Sequence, residues 1–252
     1  MIRVDLSIII PAFNESARIV STLDSIVHFL SQRPWEWEVI VVDDGGADGT
    51  ARLVEDYSVK QSAVRLLRND RNRGKGFSVR HGVCEATGAV IGFIDADDKT
   101  DIQAADSVME LLMGAGTDVE NGGHADIVIG DRTLPESQIV VPRRGYREWG
   151  SKQFSRLLLR FVGLGEFPDT QCGFKFFRQR TARVLFAAQR TDGYMFDVEI
   201  ILRARASQCR IKQVPVRWTD DADSRFNPVL GMIRNLKELV KIKRDLRQMT
   251  GS

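Results

Sequence analysis

Val90-Ile91-Gly92-Phe93-Ile94-Asp95-Ala96-Asp97-Asp98 is the stretch on which the reading of this chain turns. Five residues suited to a buried strand run, with no spacer, into three carboxylates within four positions. One aspartate there would be ordinary, because Asp forms turns and caps helices. Three together repel, and each resists ionising beside the next. A cation between them removes the conflict. Asp95 and Asp97 bracket a single small residue, so both side chains can turn toward one ion as the chain leaves the strand. Carboxylate oxygens suit hard cations such as Mg²⁺ or Mn²⁺. Isolated D-x-D triplets are common, so the surrounding pattern has to decide between turn and metal site.

That pattern is an alternation. Leu6 to Ile10, Val39 to Val42, Val64 to Leu67, Val90 to Ile94 and Asp126 to Ile129 read as strands. Between them, Glu15 to Leu30, Thr50 to Tyr57, Gly76 to Ala86 and Ile102 to Met113 carry apolar residues at helical spacing. Strands without polar alternation, interleaved with helices, imply an α/β fold with a central, mostly parallel sheet flanked by helices. Ligands of such sheets bind beyond the carboxyl ends of the strands. Turn-forming and acidic residues follow three of the strands: Pro11-Ala12-Phe13-Asn14-Glu15, Asp43-Asp44-Gly45-Gly46-Ala47-Asp48, and Asp95-Ala96-Asp97-Asp98. Three such clusters at one sheet edge point to a site. Gly74-Lys75-Gly76 before a helix adds backbone access and a point charge for an anion. It is not the phosphate loop G-x-x-x-x-G-K-[ST], and no G-x-G-x-x-G follows the first strand.

The chain has 252 residues, 43% hydrophobic and 28% charged, which fits one large domain or two small ones with a sizeable core. A net charge of +2 gives no basis for a nucleic-acid partner. Cys84, Cys172 and Cys209 are odd in number and scattered, which fits a reducing compartment rather than disulfides or zinc. MIRVDLSIII is not laid out as a signal peptide, and no window reaches the ~18 apolar residues of a membrane span.

In order and spacing, Pro11 to Glu15, Val41 to Gly45, Gly74 to Gly76 and Asp95 to Asp97 resemble the nucleotide-sugar half of an inverting family-2 glycosyltransferase of the GT-A fold. Asp169 to Phe177, Phe196 to Ile201 and Val214 to Trp218 resemble dolichyl-phosphate glucosyltransferases and their polyprenyl-phosphate relatives. The resemblance spans roughly residues 5 to 245. It implies a nucleotide-sugar pocket of Pro11, Ala12, Phe13, Glu15, Asp43, Asp44, Lys75, Asp95, Ala96 and Asp97. Within it, Asp43 or Asp44 lies near the base, Glu15 near the ribose, and Asp95 and Asp97 hold the metal, Mg²⁺ or Mn²⁺. Arg132, Arg147 and Ser151 fall where related mannosyltransferases grip the acceptor phosphate. Arg225 falls where those enzymes direct a lysine toward the phosphates. Lys99 replaces their metal-binding glutamine and Thr219 an arginine, which favours the glucosyltransferase side.

The implied activity is metal-dependent transfer of a hexose, glucose first, from a UDP-sugar to a polyprenyl phosphate. The alternatives are another donor (GDP-mannose, UDP-GlcNAc or a uronic acid nucleotide) or a soluble or sugar-hydroxyl acceptor. A phosphate acceptor is already largely deprotonated near neutral pH and needs positioning by arginine forks. A hydroxyl acceptor needs a base, for which Asp169 and Asp197 are the candidates. Residues 1–225 are read as one GT-A domain and 226–252 as a basic amphipathic helix. That helix fits a membrane surface as well as it fits packing on the sheet. Arg143 to Trp149 adds cations and aromatics to the membrane reading. The expected location is peripheral, on the cytoplasmic face of a membrane.

Overall fold

The computed structural model describes residues 4–114, 124–140, 163–219 and 238–245. Four strands of the first half, β1 (Leu6–Ala12), β2 (Trp37–Asp43), β3 (Val64–Arg68) and β4 (Val90–Ile94), lie parallel in the spatial order β3-β2-β1-β4. The helices between them are α1 (Ile19–Leu30), α2 (Thr50–Lys60) and α3 (Lys75–Glu85). A 3-10 turn at Ile102–Ala104 leads into α4 (Ala105–Met113). The second half adds β5 (Ile127–Asp131), β6 (Gln138–Ile139), β7 (Phe174–Arg178), α5 (Gln179–Ala188), α6 (Phe196–Ala206), β8 (Ile211–Pro215) and β9 (Arg217–Trp218).

Among the described residues, seven strands form one sheet, β3-β2-β1-β4-β7-β5-β8, and β6 pairs with β9 beside it. β7 is antiparallel to both its neighbours, β4 and β5. It was not foreseen as a strand, since Phe174 to Phe177 lacks the helical context that marked the others. The sheet is mostly parallel, as expected, with one reversed strand, β7, inside it.

Both faces of the sheet are covered, which is why the strands show no polar alternation. Ile8, Ile10, Val41, Phe174 and Phe176 meet α1 and α4 in one core. Ile9, Ile40, Val42, Phe93 and Phe177 meet α3, α5 and α6 in the other. Each such residue, fully buried, is worth about 1.5–3 kcal/mol. Gly92 sits between Ile8 and Phe176 in the register, and a β-carbon there would run into the Phe176 ring.

The first helix begins at Ile19, four residues later than the periodicity predicts. Other bonds claim the intervening backbone. Asn14 is left-handed at φ 55°, the Glu15 N–H donates to the Thr50 hydroxyl (2.9 Å), and the Ser16 N–H donates to Asp48 (2.9 Å). Those bonds fasten the loop after β1 to the loop after β2.

At the opposite, amino end of the sheet, Glu38 ties three segments. It accepts from the Ser7 hydroxyl (2.7 Å), the Thr87 N–H (2.7 Å) and the Thr87 hydroxyl (2.8 Å), with Arg65 Nε at 3.2 Å. Burial alone would raise its pKa, but these donors and Arg65 outweigh it and hold the carboxyl below its ordinary value of 4.5. A depressed carboxylate stabilises the fold above its unfolded pKa and loses that contribution as pH falls through its folded pKa. Glu38→Gln is expected to cost about 1–2 kcal/mol at pH 7. In urea titrations the gap to the parent protein should close as pH drops below about 4. A gap that stays constant from pH 7 to pH 3 would contradict this account.

Candidate active site

β1 lies between β2 and β4, so the crossovers run one way from it and then the other. The carboxyl ends of these strands flank the crevice where such sheets take ligands. The loops after β1, β2 and β4 meet there. Pro11 and Ala12 end β1, and Ala12 pairs in register with Asp43. Phe13 beyond them is 43% exposed at the rim. Glu15 is bridged by Arg18 (2.7 Å).

The two aspartates of Asp43-Asp44 do different things. Asp44 is filled by its own chain: it accepts from Asn69 (2.7 Å), from the Arg73 N–H (2.9 Å) and from the Gly74 N–H (2.8 Å). It thereby folds the loop that launches α3. Asp43 is fully buried at the strand end, with the Gly46 N–H at 3.2 Å and Arg68 Nε at 3.4 Å. Burial pushes its carboxyl up.

Lys75 opens α3, and its ammonium lies 2.5 Å from Asp95 Oδ1. The residue before it, Gly74, holds φ 102°, and a β-carbon there would strike the Asp192 carbonyl, so only glycine seats this turn. Asp95 donates its N–H to the Gly173 carbonyl (3.2 Å), and Gly173 approaches so closely that a side chain would collide with the Asp95 carboxylate. Burial works to raise the Asp95 pKa, but Lys75, Lys175 and Arg132 together hold it below the usual range. Asp97 has Lys99 Nζ at 3.6 Å, and burial followed by the charge of Asp95 pushes it up. The Ala96 carbonyl between them accepts the Thr22 hydroxyl (2.8 Å), which anchors the loop to α1.

Arg132 stands just past β5 and grips Asp169 as a fork, Nε to Oδ2 at 2.8 Å and Nη2 to Oδ1 at 2.7 Å. Its backbone N–H donates to the same carboxylate (2.9 Å), and its guanidinium lies 5.1 Å from the Trp218 ring centre. Asp197, in the first turn of α6, is buried with Lys175 Nζ at 2.7 Å. Both carboxylates named as candidate bases are thus engaged by cations.

Lys175 itself was not singled out from the sequence. It is fully buried on β7, also donating to the Cys172 carbonyl (2.6 Å). The signal was present: a lysine inside Phe-Lys-Phe-Phe needs a buried counter-charge. Lys75 and Lys175 lie 6.0 and 5.3 Å from the Phe93 ring centre, so the two lysine–aspartate pairs share that ring.

Arg147, Ser151, Arg225 and the segment Arg143–Trp149 lie outside the described residues. Of 226–252, only 238–245 is described. It is helical, with Leu239 and Ile242 buried in the second core and Glu238 accepting the Met195 N–H (3.2 Å). Among the described residues, no helix is long and apolar enough to cross a membrane.

A doubly covered sheet with an acidic D-x-D edge at its switch point is the arrangement of the GT-A fold of glycosyltransferases. The Glycosyl transferase family 2 model matches residues 7–186, and the chain belongs to that family. The chain is 35% identical over 239 residues to the dolichyl-phosphate beta-glucosyltransferase ALG5C of Trichomonas vaginalis, covering 93% of this chain and 69% of that one. It is 34% identical over 246 residues to the dolichyl-phosphate beta-glucosyltransferase of Dictyostelium discoideum, covering 94% of this chain and 73% of the relative. Among solved structures, glucosyl-3-phosphoglycerate synthase from Mycobacterium tuberculosis, in complex with Mn²⁺, UDP-glucose and phosphoglyceric acid, superposes with a TM-score of 0.64. The identity is 20%, over 95% of this chain and 78% of that one. That likeness is one of fold.

Proposed function

We propose that the protein transfers glucose from UDP-glucose to a polyprenyl phosphate, with inversion, at a membrane surface. The observation that carries this reading is the engagement of Asp169 by Arg132 and of Asp197 by Lys175. A hydroxyl acceptor must give up a proton, and these carboxylates are committed elsewhere. A phosphate monoester arrives largely deprotonated and needs only charge and orientation. The dolichyl-phosphate beta-glucosyltransferase relatives support the same acceptor class.

Asp95 and Asp97 fit a hard divalent cation, Mg²⁺ or Mn²⁺. Both carboxylates lie on one loop, close enough that the charge on Asp95 raises the Asp97 pKa. When bound, such an ion supplies Lewis-acid stabilisation of the leaving diphosphate. Lys75 lies at the same edge, where its ammonium offsets charge growing on the leaving group. Arg132, its orientation fixed by Asp169 and its side chain still 30% exposed, is offered to the acceptor phosphate. No proton need move through Asp169 or Asp197.

The test is transfer of labelled glucose from UDP-glucose to polyprenyl phosphate in liposomes, with Mg²⁺ or Mn²⁺ and with EDTA. Label is expected in the lipid phase, dependent on metal, and reduced at least about tenfold by Arg132→Ala. Label passing instead to soluble 3-phosphoglycerate, with none in lipid, would replace this acceptor with a soluble one.

A further inference from the structure

The backbone that carries Lys75 is held from outside the donor edge. Gly74, at the cap of α3, has no side chain to offer, and a helix start leaves its first N–H groups without partners in the helix. Here the Asp192 carbonyl takes the Phe77 N–H (3.2 Å), and the Gln189 side chain donates to the Gly76 carbonyl (3.0 Å). Further along α3, Arg80 bonds the Asp192 carboxylate (2.7 Å). Gly76, like Gly74, lets this loop come so close that a β-carbon would strike it. Gln189 to Met195, which joins α5 to α6, is thus the seat on which Lys75 rests.

That loop is itself held on its far side. Glu199 takes the N–H groups of Arg190 (2.9 Å) and Thr191 (2.7 Å). The helix at 238–245 grips it at two further points. Glu238 accepts the Met195 N–H (3.2 Å) and packs on Gly193, where a β-carbon would collide with its carboxylate. Asp245 lies 3.8 Å from Arg190. Glu238 and Asp245 are two turns apart and so share a face, the one that also buries Leu239 and Ile242. Val240, on the other side, is 62% exposed.

We infer that this helix is a clamp on the donor edge, with Glu238 the positioning residue that sets Lys75 through the 189–195 loop. This rests on the donor site proposed above, and adds that the terminal helix belongs to the catalytic unit. A misplacement of about 1 Å far from the chemistry can cost about 10²-fold. Glu238 acts at a distance, so its effect on the donor passes through Lys75.

The experiment is calorimetric titration of the full chain with UDP, with Mn²⁺ present and lipid absent, so that a role in membrane attachment does not enter. Glu238→Ala should weaken UDP binding about tenfold, with its far-ultraviolet circular dichroism unchanged. Glu238→Gln, which keeps an acceptor oxygen for the Met195 N–H, should recover most of the loss. In a Lys75→Met background, itself weakened, Glu238→Ala should change UDP affinity by less than about twofold. Val240→Ser should bind as the parent does. If Glu238→Ala does not fold, Gly193→Ala is read in its place, since its methyl group displaces the Glu238 carboxylate. Parent-like affinity in folded Glu238→Ala, or a loss that multiplies with that of Lys75→Met, overturns the inference and leaves the donor site standing. A parent protein that does not bind UDP sinks the donor-site reading, and this inference with it.

Discussion

Asp95→Asn is expected to lower kcat/KM for glucosyl transfer about 10²–10³-fold, the usual scale for losing one well-placed electrostatic contact. Asparagine has the same shape, so the backbone bond from residue 95 to the Gly173 carbonyl survives. What disappears is charge: the proposed ligand of a hard cation and the partner of Lys75 go together. Asp95→Glu makes the sharper comparison. It keeps the charge but lengthens the side chain where Gly173 already touches the carboxylate. It should therefore fail nearly as badly, and the two losses together would separate position from charge. Steady-state kinetics with varied UDP-glucose, alongside thermal melts, measures both. Activity of Asp95→Asn within about threefold of the parent would remove Asp95 from the machinery.

The second large effect concerns stability. Lys175→Met should destabilise the fold by about 3–5 kcal/mol, because it strands Asp197 as a buried, unpaired carboxylate. Lys175 is 0% and Asp197 3% exposed, so water cannot take over the lost contact. Burial already pushes the Asp197 pKa up even with Lys175 present. Removing both charges, as Lys175→Met with Asp197→Leu, should recover most of the loss, since well-packed apolar residues often replace a buried pair at little cost. Urea denaturation of the two single variants and the double variant gives the coupling directly. A loss below about 1 kcal/mol for Lys175→Met would mean the pair is solvated in a way its burial denies.

Much of this architecture was legible because local and global signals agree in the first half. Unbroken apolar strands such as Val39 to Val42, followed by turn residues, leave few alternatives for a parallel sheet. The D-x-D loop was legible for the same reason, being a charge cluster no strand would otherwise approach. Legibility failed where long-range pairing decides. β7 carries no local mark of its reversed direction, and Lys175 is explicable only once Asp197 comes beside it across the fold. Asp43 and Asp44 look equivalent in sequence. Only the return of the Asn69–Gly74 loop shows that Asp44 is a structural acceptor. The start of α1 was misread because Thr50 and Asp48, more than thirty residues away, compete for its first backbone donors.

The reversed strand also has a consequence for how the molecule comes into being. β4 and β5 are not neighbours in the sheet; β7 lies between them and pairs with both, and it ends 84 residues after β4 does. During synthesis at about 5–20 residues per second, the first four strands wait roughly 4–17 s with the outer edge of β4 unpaired. An open apolar edge is a template for the wrong chain. Nascent copies are therefore most exposed to aggregation in that interval, and a chaperone that shields β4 until Phe174–Arg178 emerges should raise the yield of folded protein.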